Sequence, residues 1–322
     1  MVYSVSNSDS DPSSVLTVLP RNFPWTTTLS MLYMDNPVGT GFSFTNNSQG
    51  YAVNEDDVAH NLYSALVQFF QLFPEYENND FYATGESYAG KYVPALAHYI
   101  HTLNPKEQVK IHLKGIALGN AYSDPESIIK GYAPFLYEIG LLDERQRKYF
   151  QKQCNKCIKY IKEENWLRAF EEPGDQTYYG KFLSLSEVRR AIHVGNQTFS
   201  DGADVEKYLR QDTMKSVKTW LTEIMNNNYK VLLYNGQLDI IVAASLTERS
   251  LMTMNWKGFR KYKKSRRVVW KIFKSDNEVA GYVRQVENFH QCLSGGGLQG
   301  GCVVMGGRKE ERQLPCEQRH SL

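Results

Sequence analysis

The stretch Phe81-Tyr82-Ala83-Thr84-Gly85-Glu86-Ser87-Tyr88-Ala89-Gly90 constrains this chain more than any other. Phe81–Thr84 reads as a short strand. A turn at Gly85 follows, and Ala89–Thr102 reads as a helix that tolerates Pro94 in its early turns. A serine between strand and helix, flanked by small residues, is the arrangement of a nucleophile elbow. The turn is sharp and the helix packs close behind it, so bulk is excluded on both sides. In such a turn the Ser87 hydroxyl is presented outward, and the N–H of Tyr88 is aimed at a developing oxyanion. The last glycine of the Gly-x-Ser-x-Gly pattern is here Ala89, with Gly90 next. The competing reading is a turn that only connects two elements.

The surrounding pattern predicts an α/β chain with a mostly parallel sheet. Residues 29–35 form an apolar run ending at Asn36-Pro37 and read as a buried strand. Residues 54–73 read as a helix capped by Asn54, with Val58, Leu62, Leu66, Phe69 and Phe70 on one face. Lys110–Leu118 reads as a second buried strand. The alternation of strand and helix is that of βαβ units. Residues from about 125 to 225 turn helical and charged and are read as an insertion, or cap. Tyr229–Tyr234 returns to strand, and 267–273 with 278–286 read as antiparallel strands. Residues 1–20 read as a loose lead-in, 21–291 as the main domain, and 292–322 as a Gly-rich, aperiodic tail expected to be disordered. Asp239, in Asn235-Gly236-Gln237-Leu238-Asp239, stands beyond a strand and after Ser87 in chain order. That suits the acid of a Ser…Asp…His triad. A turn residue or helix N-cap is the alternative.

Composition narrows the function classes. Lys and Arg exceed Asp and Glu by 37 − 35 = 2 in 322 residues, so neither nucleic acid nor an acidic membrane is expected as a partner. No apolar run approaches the roughly 18 residues of a membrane-spanning helix. The basic run Arg260–Arg267 reads as a solvated hairpin or loop. Cys154-x-x-Cys157 is compatible with a redox motif, half a zinc site or part of a disulfide framework, and five cysteines leave at least one unpaired. No second Cys-x-x-Cys follows, so no metal is expected, and nothing calls for a cofactor. The sequons at Asn46 and Asn196 fit a glycoprotein. The first residues lack a basic segment followed by an apolar one, so no signal peptide is expected.

Four blocks, Asp35-Asn36-Pro37-Val38-Gly39-Thr40-Gly41-Phe42-Ser43, Gly85 to Pro94, Lys114 to Asn120, and Asn235 to Asp239, resemble the serine carboxypeptidases. The stretch from Phe182 to Leu251 looks most like the vitellogenic carboxypeptidase-like branch of that family. The resemblance implies an α/β-hydrolase fold with a helical insertion and removal of C-terminal residues from peptides or proteins. It assigns Ser87 as nucleophile, Asp239 as triad acid and Glu86 as the group that hydrogen-bonds the substrate's terminal carboxylate. Two carboxyl groups so close share a proton, which favours acid pH. The family also suggests a secretory, lysosomal or extracellular setting, whereas a chain without a signal would stay in the cytosol.

The sequence departs from the family in three places. Residues 1–28 contain no Asn-Gly-Gly-Pro-Gly segment, which in the family supplies the second oxyanion donor and helps hold the substrate carboxylate. Gly295-Gly296-Gly297 runs into Leu298-Gln299 where the family has Gly-Gly-His, which leaves His290 and His320 as poor substitutes for the triad base. The segment that would supply partners for Cys154 and Cys157 is shortened. A chain without that base is expected to be inactive. The rival readings are a peptide-binding or decoy protein on the same scaffold, and a lipase or esterase. Glu86 and the Asp35–Ser43 block argue against the latter.

Overall fold

A computed structural model describes residues 2–4, 17–19, 24–170 and 202–295, together with 189, 190, 195, 197, 199 and 200. The chain divides into two units: Met1–Tyr51 with Pro173–Val205, and Ala52–Glu172 with Glu206–Leu322.

The second unit holds a six-stranded sheet built from near-continuous apolar runs. Its strands are β3 (Phe81–Glu86), β4 (Leu113–Gly119), β5 (Lys230–Gly236), β6 (Val268–Trp270), β7 (Gly281–Val286) and β8 (Phe289–Ser294). The order across the sheet is β3-β4-β5-β8-β7-β6. The pairs β3–β4, β4–β5 and β5–β8 are parallel, and β8–β7 and β7–β6 are antiparallel. Six of seven residues are buried in each of β4 and β5, as expected of parallel strands covered on both faces. The expected strand at 81–84 extends to Glu86. The antiparallel pair expected at 267–286 is present as β6 and β7.

Helix α1 (Glu55–Leu72) starts where Asn54 accepts a hydrogen bond from the Asp57 N–H. It buries Val58, Leu62, Leu66 and Phe70 against α2 (Ala89–Leu103), which packs on β3 and β4. Between β4 and β5 the described residues form α3 (Pro125–Glu138), α4 (Glu144–Lys162), α5 (Trp166–Phe170), α6 (Ala203–Leu209) and α7 (Lys218–Asn226). Helix α8 (Ala244–Thr253) follows β5 and packs on it and on α3. Cys154 and Cys157 are free thiols facing an apolar cluster with Ile129, Ile158, Ile161 and Met214. Burial pushes both thiols above their ordinary range, so they pack as small apolar groups.

Four expectations are corrected. Residues 29–35 form no strand, and Leu32, Tyr33 and Met34 are exposed. An apolar run becomes a strand only when another strand accepts its backbone groups. The sheet ends at β3, which pairs with β4 alone among the described residues. The lead-in is not wholly loose, since β1 (Val2–Ser4) and β2 (Thr17–Leu19) pair antiparallel. The boundary placed at Cys292 cuts through β8, and Cys292 is a core residue beside Leu232 and Tyr234. The basic run at 260 is helical: α9 (Phe259–Lys264) is anchored by the fully buried Tyr262, whose hydroxyl donates to Gln291 Oε1 at 2.8 Å. The residues expected to form the tail beyond Gly295 lie outside the described ones.

Candidate active site

Ser87 sits between β3 and α2 with φ 58°, the left-handed backbone conformation that a nucleophile elbow requires. Its N–H donates to the Gly119 carbonyl, and its own carbonyl accepts from the N–H groups of Gly90 and Tyr122, each at 2.9 Å. The elbow is thus fastened to the end of β4. The small flanking residues have measurable reasons. A methyl group on Gly85 would lie 2.4 Å from Ala89 Cβ, and one on Gly90 would lie 2.5 Å from the Tyr122 nitrogen. The Ser87 side is exposed, as is Glu86.

The Tyr88 N–H, at the N-cap of α2, meets no acceptor among the described residues. Its side chain is fixed elsewhere: the hydroxyl is 3.2 Å from Thr213 Oγ1, and the ring packs on Tyr92 and Tyr122. The Glu86 carboxyl is held above the usual carboxylate range, first by partial burial and then by the negative charge of Asp239.

Asp239 is buried just past the end of β5. Its Oδ1 accepts from the N–H groups of Ile241 at 2.6 Å and Val242 at 3.0 Å. So Asp239 does act as a turn residue, and the same bonds hold its carboxyl in place. Two asparagines brace this loop. The Asn235 side chain donates to the Val242 carbonyl and to Thr247, and the Asn120 amide also donates to the Val242 carbonyl. Both stand in the motif blocks but gave no chemical signal of their own in the sequence. Strands β3 and β5 are parallel and separated by one strand, about 10 Å apart, and Ser87 and Asp239 both follow their C-terminal ends.

The histidines of the described residues lie elsewhere. His60 packs against Tyr99, His98 pairs with Glu223 and His101 with Tyr229, while His112 precedes β4 at the opposite sheet end. His290 on β8 is in register with Leu232, Ala117 and Thr84. That places it three strands, about 14 Å, from β3 and below the elbow's row. His320 and Asn196 fall outside the described residues, while Asn46 is exposed. The Asp35–Ser43 block closes on itself, with Asp35 accepting from the Phe42 N–H at 2.7 Å and from the Ser43 hydroxyl at 2.7 Å. Among the described residues no group of three or more His, Cys, Asp or Glu could hold a metal ion, and no helix is long and apolar enough to cross a membrane.

The sequence model of the family described as serine carboxypeptidase matches residues 8–169 and 158–297. The chain belongs to the serine carboxypeptidase family. It is 66% identical to the probable serine carboxypeptidase CPVL of Homo sapiens, over 88% of this chain and 67% of that one. Against the vitellogenic carboxypeptidase of Aedes aegypti it is 38% identical, over 86% of this chain and 65% of the relative. The chain therefore spans about two thirds of the length of these serine carboxypeptidases. In fold it resembles Kex1(Δ)p, a prohormone-processing carboxypeptidase from Saccharomyces cerevisiae, with a TM-score of 0.65, 20% identity and coverage of 81% and 68% of the two chains. That likeness establishes the α/β-hydrolase fold of the family.

Proposed function

We propose that this chain binds the C-terminal carboxylate of a peptide or protein at Glu86, beside Ser87, and that the 322 residues as they stand carry out no measurable hydrolysis. In a complete site of this kind, Ser87 Oγ attacks the scissile carbonyl while a histidine removes its proton. The Tyr88 N–H and a second donor hold the tetrahedral oxygen, and Asp239 orients the imidazole. Protonated Glu86 donates a hydrogen bond to the substrate carboxylate. Helices α3, α4, α5 and α7, between β4 and β5, serve as the cap. The observation that carries this reading is the exposed Ser87 at φ 58° with the unclaimed Tyr88 N–H beside it and Asp239 two strands away.

The inactive reading turns on the base, since no histidine of the described residues hydrogen-bonds Ser87. A serine hydroxyl is a weak nucleophile without one, and loss of the triad histidine costs on the order of 10⁶ in rate. That is about 8 kcal/mol of transition-state stabilisation. Of the two histidines after Asp239, His290 is about 14 Å away across the sheet. The test uses N-blocked peptides with free and amidated C-termini. The free peptide is expected to bind saturably and more tightly than the amide, with no release of its last residue. Release that disappears on Ser87→Ala would refute the inactive reading, and equal binding of the amide would refute the carboxylate site.

A further inference from the structure

Three elements of the second unit converge on one buried ammonium behind the elbow. Lys91, one helical turn after Ser87 on α2, is fully buried. An ammonium has three N–H donors, and one turn supplies three acceptors for them. These are the Asp212 carbonyl at 2.5 Å, Asp212 Oδ2 at 3.2 Å and the Thr213 carbonyl at 3.2 Å. The Thr213 hydroxyl in turn meets the Tyr88 hydroxyl at 3.2 Å, and the ammonium lies 5.5 Å from the Tyr88 ring centre. Glu55, the first residue of α1, comes within 3.8 Å of the same ammonium. It is 2% exposed, and neither carboxyl oxygen has a hydrogen-bond partner.

The donors of Lys91 are therefore fully assigned to the Asp212–Thr213 turn, and none remains for Glu55. A buried, unsatisfied carboxylate is costly, and such a group keeps its proton instead. Burial pushes Glu55 up to about 8, Lys91 opposes this, and Asp212 and Asp56 add to it. The groups facing Glu55 are Lys91, Tyr88 and Tyr92 of α2, Asp212 of the turn, and Asp56 of its own helix. Lys215 neutralises the other oxygen of Asp212 at 3.2 Å.

We propose that Lys91 is a positioning residue for the oxyanion donor: it holds the Asp212–Thr213 turn so that Thr213 fixes Tyr88, and protonated Glu55 leaves Lys91 committed to that turn. Ionised Glu55 becomes a competing acceptor 3.8 Å from the ammonium. Drawing a donor toward it loosens the turn and releases Thr213, so that the Ser87–Tyr88 peptide is held only by the bonds from the Gly90 and Tyr122 N–H groups to the Ser87 carbonyl. The sign is fixed by the raised carboxyl. The clamp is closed at acid pH and opens as pH rises through the folded-state value of Glu55. The inference rests on the reading of Tyr88 as oxyanion donor.

The test needs no turnover. A blocked peptide with a free C-terminus is compared with its analogue carrying a phosphonate at the scissile position, whose tetrahedral oxygen requires the donor. At pH 5 the wild-type chain should prefer the phosphonate by about tenfold or more. Lys91→Met and Thr213→Val should each abolish most of that preference while leaving affinity for the peptide unchanged. Thr213→Val removes the hydroxyl's contacts with Tyr88 and with the Leu209 carbonyl but no charge, so it remains informative if Lys91→Met fails to fold. With rising pH the wild-type preference should fall, and hydrogen exchange in residues 84–92 and 209–217 should accelerate together beyond its intrinsic pH dependence. Both effects should vanish in Glu55→Gln. The proposal is overturned if Thr213→Val keeps the full preference, or if Glu55→Gln keeps the wild-type pH dependence. If the wild type shows no preference although the two segments open together, the reading of Tyr88 fails and takes the positioning role with it.

Discussion

Gly90→Ala is the sharpest single test of the elbow. The added methyl would lie 2.5 Å from the Tyr122 nitrogen, 2.8 Å from the Ala121 carbonyl carbon and 2.9 Å from Ala121 Cα. All three are backbone atoms, so no side-chain rotation relieves the contact. Restoring an ordinary contact of 3.4 Å means moving α2 and the segment after β4 apart by 3.4 − 2.5 = 0.9 Å. The bond from the Tyr122 N–H to the Ser87 carbonyl, now 2.9 Å, does not survive that shift. Overpacking costs about 1–3 kcal/mol and the lost hydrogen bond about 1 kcal/mol, for a total of about 2–4 kcal/mol. Gly140→Ala is the control. Gly140 has φ 78° with nothing within 4 Å, so it carries only the left-handed backbone penalty of about 1–2 kcal/mol. Denaturant unfolding followed by tryptophan fluorescence compares the two midpoints at unchanged slope. A Gly90→Ala chain no less stable than Gly140→Ala would refute the close-packed elbow.

Three further outcomes are expected. Glu86 has its carboxyl raised by burial and Asp239, so its proton is lost only above the ordinary carboxylate range. Peptide binding should therefore hold in acid and weaken as pH rises through that value, and Glu86→Gln should flatten the profile in calorimetric titrations. Glu248 holds Arg284 at 3.0 Å and Arg267 at 2.5 Å, and the Arg284 guanidinium lies 4.6 Å from the Tyr262 ring centre. Glu248→Ala should cost about 1–3 kcal/mol in thermal unfolding by leaving the half-buried Arg284 uncompensated, with Glu248→Gln milder. The outer edge of β3 has no strand partner among the described residues. Concentration-dependent association is expected in gel filtration with light scattering; a monodisperse monomer across the whole range would argue against an open edge.

The sequence made the elbow legible because its requirements are local. A positive φ, two small flanks and a strand–helix junction all fall within ten residues of sequence, Phe81 to Gly90. The strands β4 and β5 were legible because burial on both faces leaves unbroken apolar runs. Strand β8 was missed because it is a central strand with polar members. Gln291 is buried there by its bond to Tyr262, and His290 beside Leu232 breaks any alternation. Helix α9 was hidden by its basic residues, since Tyr262 alone carries its burial. The run at 29–35 misled for the opposite reason, because its apolar content was plain but a strand also needs a neighbour. The buried charge of Lys91 left no trace, because its acceptors at 212–213 lie 212 − 91 = 121 residues away.

The place of β8 also bears on how the chain assembles as it is made. Strands β7 and β8 are joined by the tight turn Glu287-Asn288, with Glu287 at φ 54°, so β6, β7 and β8 form a meander of neighbours in sequence. Strands β4 and β5, by contrast, pair residues as far apart as Gly115 and Lys230. The meander can form within microseconds once released, while the parallel half must wait for its long loop to close. Only β8 joins the two, by pairing Val231–Gly236 with Phe289–Ser294. Until Ser294 has left the ribosome, the buried row Val231, Leu232, Leu233 stands at an open edge. A nascent chain arrested just short of Phe289 should therefore be held by chaperones, and one extended past Ser294 should be released.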